Sequence, residues 1–132
     1  MRKTSILLGI ALSTLITSRA ADPDISKLPP PAAKTGVTYD ADIKPIFEKS
    51  CFKCHGPEKQ KGKLRLDSLD AVKKGGEDGD VLSVGKSEKS RLVHSVARIL
   101  EEDDNMPPED KGKPLTKDQV ALIRAWIDQG AK

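Results

Sequence analysis

The run Cys51-Phe52-Lys53-Cys54-His55 holds the residue types and spacing in this chain that can do chemistry. On a helical turn, Cys51 and Cys54 face the same way, and both thiols can form thioethers with the two vinyl groups of a haem. His55 falls four residues after Cys51, which puts its imidazole beneath the ring plane, where a nitrogen reaches the iron as proximal ligand. The pattern is that of covalent attachment of a c-type haem. A Cys-x-x-Cys pair also serves as a redox dithiol or as half of a zinc site. A closed zinc site wants four ligands, and the chain has no further cysteine and one further histidine, His94. A thioredoxin-like pair follows a strand, whereas here a helical pattern runs straight into Cys51.

A second iron ligand has few candidates. Apart from Met1 the chain has one methionine, Met106, within Asn105-Met106-Pro107-Pro108. A thioether is a soft, neutral donor that favours ferrous iron and raises the reduction potential. The two prolines stiffen the backbone, and a residue before proline is held extended, so this loop can present a side chain to iron. The alternative is a methionine that fills an apolar gap. For His94 the spacing predicts a helix from Ser87 or Ser90 to about Leu100, with Leu92, Val93, Val96, Ile99 and Leu100 on one face. His94 shares the opposite face with Arg91 and Arg98, which predicts an exposed histidine rather than an iron ligand.

The elements that must position these residues can be read in order. Asp42 is expected to cap a first helix with Pro45 in its first turn. Ile43, Ile46 and Phe47 form its apolar stripe, one turn before Cys51. Gly56-Pro57 stops the helix, and Lys59, Lys61, Lys63 and Arg65 follow around Gly62. This basic loop beside the haem attachment point suits an acidic redox partner, or is solvated surface. Leu64 and Leu66 alternate with charged neighbours and are expected to turn inward. Ser68 caps a short helix through Val72 closed by Gly75 and Gly76, and Glu77 to Gly85 reads as loop. Thr116 and Gln119 form a capping box with Leu115 and Val120 as its staple. Val120, Ile123, Trp126 and Ile127 then repeat at helical spacing up to Gly130. Trp126 is placed to cross the first helix near Phe47.

With 132 residues, 36% hydrophobic and 33% charged, one small soluble domain is expected. Tyr39, Phe47, Phe52 and Trp126 are its only aromatic residues, so an enclosed haem would supply the missing flat apolar body of the core. The net charge of +3 is carried by Arg2, Lys3 and Arg19, and the remainder balances at 20 basic against 20 acidic residues. That balance gives nucleic-acid binding no support. Residues 1–20 combine a basic start, an apolar run from Ile6 to Ile16 and Ser18-Arg19-Ala20, the pattern of a secretory signal peptide. Export to the periplasm or beyond follows, with membrane contact only if the segment is retained as an anchor. Residues 21–36, with Pro29-Pro30-Pro31, read as a Pro-rich tether, with an ordered surface arm as the alternative. Residues 37–132 form the domain.

From Tyr39 to Ala131 the chain resembles class I cytochrome c, in particular the planctomycete-type cytochrome c domain. The likeness rests on Ile43-Lys44-Pro45-Ile46-Phe47 before the haem motif, then Gly62-Lys63-Leu64-Arg65-Leu66-Asp67, Met106-Pro107-Pro108 and Trp126-Ile127-Asp128-Gln129-Gly130. The resemblance implies an all-α fold wrapped around one haem c, with crossed first and last helices. It also implies thioethers from Cys51 and Cys54 and an iron held between His55 and Met106. The leading functional expectation is an electron carrier rather than an enzyme. A haem sensor or enzyme with an open distal site, and a docking module that uses haem to fold, are the alternatives.

Overall fold

The computed structural model describes residues 21–132; the expected signal peptide at residues 1–20 lies outside them. Helix formation begins at Thr38, whose hydroxyl accepts from the Ala41 N–H at 3.3 Å. Asp42 was the expected cap, yet its carboxylate reaches back to the Thr38 N–H at 3.0 Å. The two side chains satisfy the orphan N–H groups of Ala41 and Thr38, and the helix gains a turn at its start. Pro45 would then press its ring on the carbonyl four residues earlier in a regular helix. The chain avoids this by opening a wide turn over Tyr39–Ile43, in which the Lys44 N–H bonds to the Tyr39 carbonyl. The regular helix α1 follows over Lys44–Ser50.

A short α2, Phe52–His55, succeeds α1 across a kink at Cys51. Helix α3 covers Leu69–Lys74 with Ser68 as its side-chain cap, and α4 covers Arg91–Val96. The last and longest helix, α5, spans Lys117–Asp128 and opens with the expected capping box of Thr116 and Gln119. Short 3-10 turns and two isolated bridges complete the described residues, so the fold is all-helical. Among them no helix is long and apolar enough to cross a membrane.

Helix α4 ends four residues before the expected Leu100. Arg98 turns into the left-handed region at φ +59°, and the Ile99 N–H closes the helix on the His94 carbonyl at 3.2 Å. Ser90 precedes α4 but does not cap it; its hydroxyl bonds instead to the backbone of Ser83 and Lys86.

The core lies where the first helical run meets α5. Ile43, Phe47, Ile123, Trp126 and Ile127 are fully buried there, with Val72 and Val93. Phe47 meets Trp126 edge-on, ring centres 6.4 Å apart at 84°, a contact that the sequence allows but does not by itself show. Tyr39 completes the aromatic cluster at 6.1 to 6.3 Å from both rings, and its hydroxyl donates to the Leu66 carbonyl at 2.6 Å. The Lys132 carbonyl accepts from the Tyr39 N–H at 2.7 Å and from the Trp126 indole at 3.0 Å.

Residues 21–36, read as a tether, are an ordered arm laid along α5. Ala32 donates to the Ala121 carbonyl at 2.9 Å, Gln129 donates to the Lys34 carbonyl at 2.8 Å, and Arg124 donates to the Pro29 carbonyl. Leu28 and Ala32 pack against the core. The prolines leave the chain extended, and α5 supplies the partners that its backbone lacks.

Candidate functional site

Cys51, Cys54 and His55 share one helical turn. The Cys51 carbonyl accepts from the Cys54 N–H at 3.1 Å and from the His55 N–H at 2.9 Å. Gly56 caps α2 with extended backbone, and only glycine fits there, because a Cβ would stand 2.3 Å from the Phe52 carbonyl oxygen. Cys51 and Phe52 pack against the core, while Cys54 is half-buried. Burial first, and then the neighbouring Cys54, push the Cys51 thiol up to about 12. That is the reverse of the low values that redox dithiols use to form thiolates. It suits a thioether, in which sulfur carries no charge.

His55 is half-buried, and its Nδ1 lies 3.3 Å from the Leu64 carbonyl. A carbonyl accepts only, so Nδ1 carries the proton and Nε2 keeps its lone pair. Burial lowers the imidazole below its usual value, and the charge of Lys61 adds to the effect, against hydrogen bonding that raises it. With Nδ1 donating to Leu64, Nε2 is the nitrogen available to a metal, the arrangement a metal-ligating histidine needs. A backbone bond from the Leu66 N–H to the His55 carbonyl at 2.8 Å fastens the following loop to this turn. Leu66 is buried and Leu64 packs against the core, as their alternation predicts. The residues present therefore fit a covalently attached haem, with His55 as the nitrogen donor.

Met106 comes from a different part of the chain, the loop after α4. It is half-buried, and among the described residues it is not part of the buried apolar cluster, which speaks against a gap-filling role. The Met106–Pro107 peptide bond is cis. Four hydrogen bonds fix the loop to the end of α4. The buried Asn105 amide accepts from the Leu100 N–H at 3.2 Å and donates to the Leu100 carbonyl at 3.3 Å. The Met106 N–H donates to the Ser95 carbonyl at 3.0 Å, and the Arg98 guanidinium donates to the Pro107 carbonyl at 2.8 Å. Sequence reasoning missed Asn105 and Arg98. Asn105 left a signal, a short amide next to the candidate ligand at the end of an acidic run.

His94 is half-buried rather than exposed, because its Nε2 donates to the Glu88 carbonyl at 2.7 Å. The ring clamps the turn before α4. Among the described residues no group of three or more His, Cys, Asp or Glu side chains is placed to hold a metal ion.

Lys59, Lys61 and Lys63 are exposed. Next to them Lys63, Arg65 and Lys74 line a hollow of about 370 Å³ with Gln60, Ala71 and Gly75. Lys74 reaches this place from the end of α3, so the basic surface is wider than the loop in which the sequence displays it. Arg65 is partly neutralised there by its paired bonds to Asp67 at 2.6 and 2.9 Å.

Residues 51–110 match the family model Planctomycete cytochrome C. This stretch resembles that cytochrome c domain, as the ordered motifs imply, and it contains Cys51, Cys54, His55, Met106 and the pinned loop. The match covers just under half of the chain, so α1 and α5, which build the aromatic core, lie outside it. No curated protein and no solved structure matches the chain.

Proposed function

We propose that this chain is an exported, single-haem c-type cytochrome that carries electrons between redox proteins and is not an enzyme. The observation that carries the reading is the turn on which Cys51, Cys54 and His55 stand together, with His55 tied through Nδ1 to Leu64, inside a stretch that resembles cytochrome c. Haem c, when bound, supplies a one-electron change between ferrous and ferric iron. Cys51 and Cys54 would hold it by thioethers. His55 would offer Nε2 and Met106 its sulfur as ligands to the iron. The Leu64 carbonyl orients the imidazole and burial favours its neutral form, while the loop bonds restrict where the Met106 backbone can go. A soft sulfur donor such as Met106 would favour the reduced iron, which suits electron transfer. The leader pattern of residues 1–20 supports a periplasmic or secreted location.

Spectra of the purified ferric protein test the ligand pair. A methionine ligand gives a weak red absorption band from sulfur-to-iron charge transfer and holds the potential above that of a bis-His haem. Met106→Ala should abolish the band, lower the potential and admit cyanide or carbon monoxide, while His94→Ala should change none of these. The opposite pattern would transfer the role to His94, and a native protein that freely binds cyanide when ferric and carbon monoxide when ferrous would favour a sensor.

Lys59, Lys61 and Lys63 would steer an acidic redox partner, with Lys63, Arg65 and Lys74 forming the floor for a carboxylate. Exposed charges are screened beyond about 8 Å at physiological ionic strength, so association with such a partner should slow steeply as salt rises. Replacing Lys59, Lys61 and Lys63 by Gln should remove most of that slope. A rate indifferent to salt in the native protein would reduce the loop to solvated surface.

A further inference from the structure

Residues 105, 106 and 107 each hydrogen-bond to the segment from Ser95 to Leu100 at and just past the end of α4, and the bond to Pro107 depends on one side chain. Arg98 is half-buried and sits at φ +59°, a conformation that glycine and asparagine adopt at lower cost than arginine. A helix that only needed to end would do so more cheaply with either of those residues. Arginine adds a guanidinium that crosses from the helix end to the Pro107 carbonyl at 2.8 Å. Asn105 secures the loop just before Met106 through its two bonds to Leu100. Arg98 secures it just after. Met106 is therefore bracketed, and its own N–H is held by Ser95.

We infer that Arg98 is a positioning residue that holds the Met106 thioether in place and so sets how readily an external ligand displaces it from iron. The inference rests on the proposed ligation by Met106. For an external ligand to enter, the sulfur must leave, and the loop cannot swing out while the bond to Pro107 persists. Strained backbone such as that at Arg98 is held by its surroundings and clusters at functional places.

The test is the rate at which the ferric holoprotein binds cyanide, measured with its thermal midpoint, in Arg98→Asn, Arg98→Lys and Met106→Ala. Asparagine accepts the positive φ but is too short to reach Pro107, whereas lysine keeps a charged donor of similar reach. Losing one hydrogen bond from a charged donor should speed cyanide binding by roughly tenfold in Arg98→Asn, with the thermal midpoint kept because asparagine holds the positive φ at lower cost than arginine and offsets the lost bond. Arg98→Lys should fall between that variant and the native protein. Native-like binding in Arg98→Asn, with Met106→Ala open to cyanide, would overturn the inference and leave the ligand assignment standing. A thermal midpoint that fell in step with the faster binding would also overturn it, since general loosening explains both. Slow binding in Met106→Ala would remove the ligand assignment itself, and the inference with it.

Discussion

Burial disfavours the charged form of the Cys51 thiol, and a thioether leaves that sulfur neutral. Each cysteine is expected to contribute one such bond. Cys51→Ser or Cys54→Ser should therefore leave at most one covalent link to haem, and the double variant none. A denaturing gel stained for haem peroxidase activity reads this directly, and covalent haem in the double variant would sink the attachment reading. At this scale the motif was legible because spacing alone decides which way two thiols and an imidazole face. What spacing could not supply was the acceptor at each histidine. The Leu64 and Glu88 carbonyls come from neighbouring turns, and the second of them makes His94 half-buried where a helical wheel leaves it in solvent. Arg98 was hidden for a related reason. Ile99 and Leu100 continue the apolar period past the point where the helix stops, and nothing in residue type announces a left-handed arginine.

Among the elements, the start of the first helix is where charge and structure are most closely linked. The Asp42 carboxylate takes a proton less readily than a free aspartate. Its bond from Lys34 is the largest cause, followed by the Thr38 N–H. A carboxylate whose folded-state value is depressed stabilises the fold above the unfolded value of 3.8, and that contribution is lost as the pH falls through the folded value. Asp42→Asn should accordingly lower the thermal midpoint at neutral pH, and the gap to the native protein should close as the pH falls below 3.8 and through the lower folded value. An equal deficit at neutral and low pH would mean that the side chain acts by shape alone. The capping residues Ser68 and Thr116 behave as their sequence signals predict, since an N-cap is settled within four residues. The Thr38 start was less legible, because it depends on the chain opening a wide turn to make room for Pro45. Propensity rules contain no term for that accommodation.

Across the whole molecule, the aromatic cluster shows how far pattern reading extends. The apolar stripes of α1 and α5 identify Phe47 and Trp126, and two stripes with few other large rings have little choice of partner. The arm of residues 21–36 was legible only as the alternative to a tether, because its affinity for α5 comes from backbone carbonyls meeting Arg124 and Gln129 about ninety-five residues away. Arg124 also donates to the Ser87 hydroxyl at 2.9 Å, and Ser87 is held in turn by Asp128. Arg124→Met should cost about 1.5 to 3 kcal/mol in denaturant unfolding, the worth of hydrogen bonds from a charged donor. An unchanged midpoint would show that the arm adds nothing to the fold. The same contacts bear on how the native protein meets a protease. Lys27 and Lys34 present exposed side chains, at 69% and 56% of full exposure, which trypsin would recognise in a loose leash. A protease must draw several residues on either side of the cut into its cleft, and bonds from α5 to the carbonyls of Pro29 and Lys34 and to the Ala32 N–H resist that. Cutting at both lysines should be slow in the native protein and fast in Arg124→Met, in step with the population of arms that have let go.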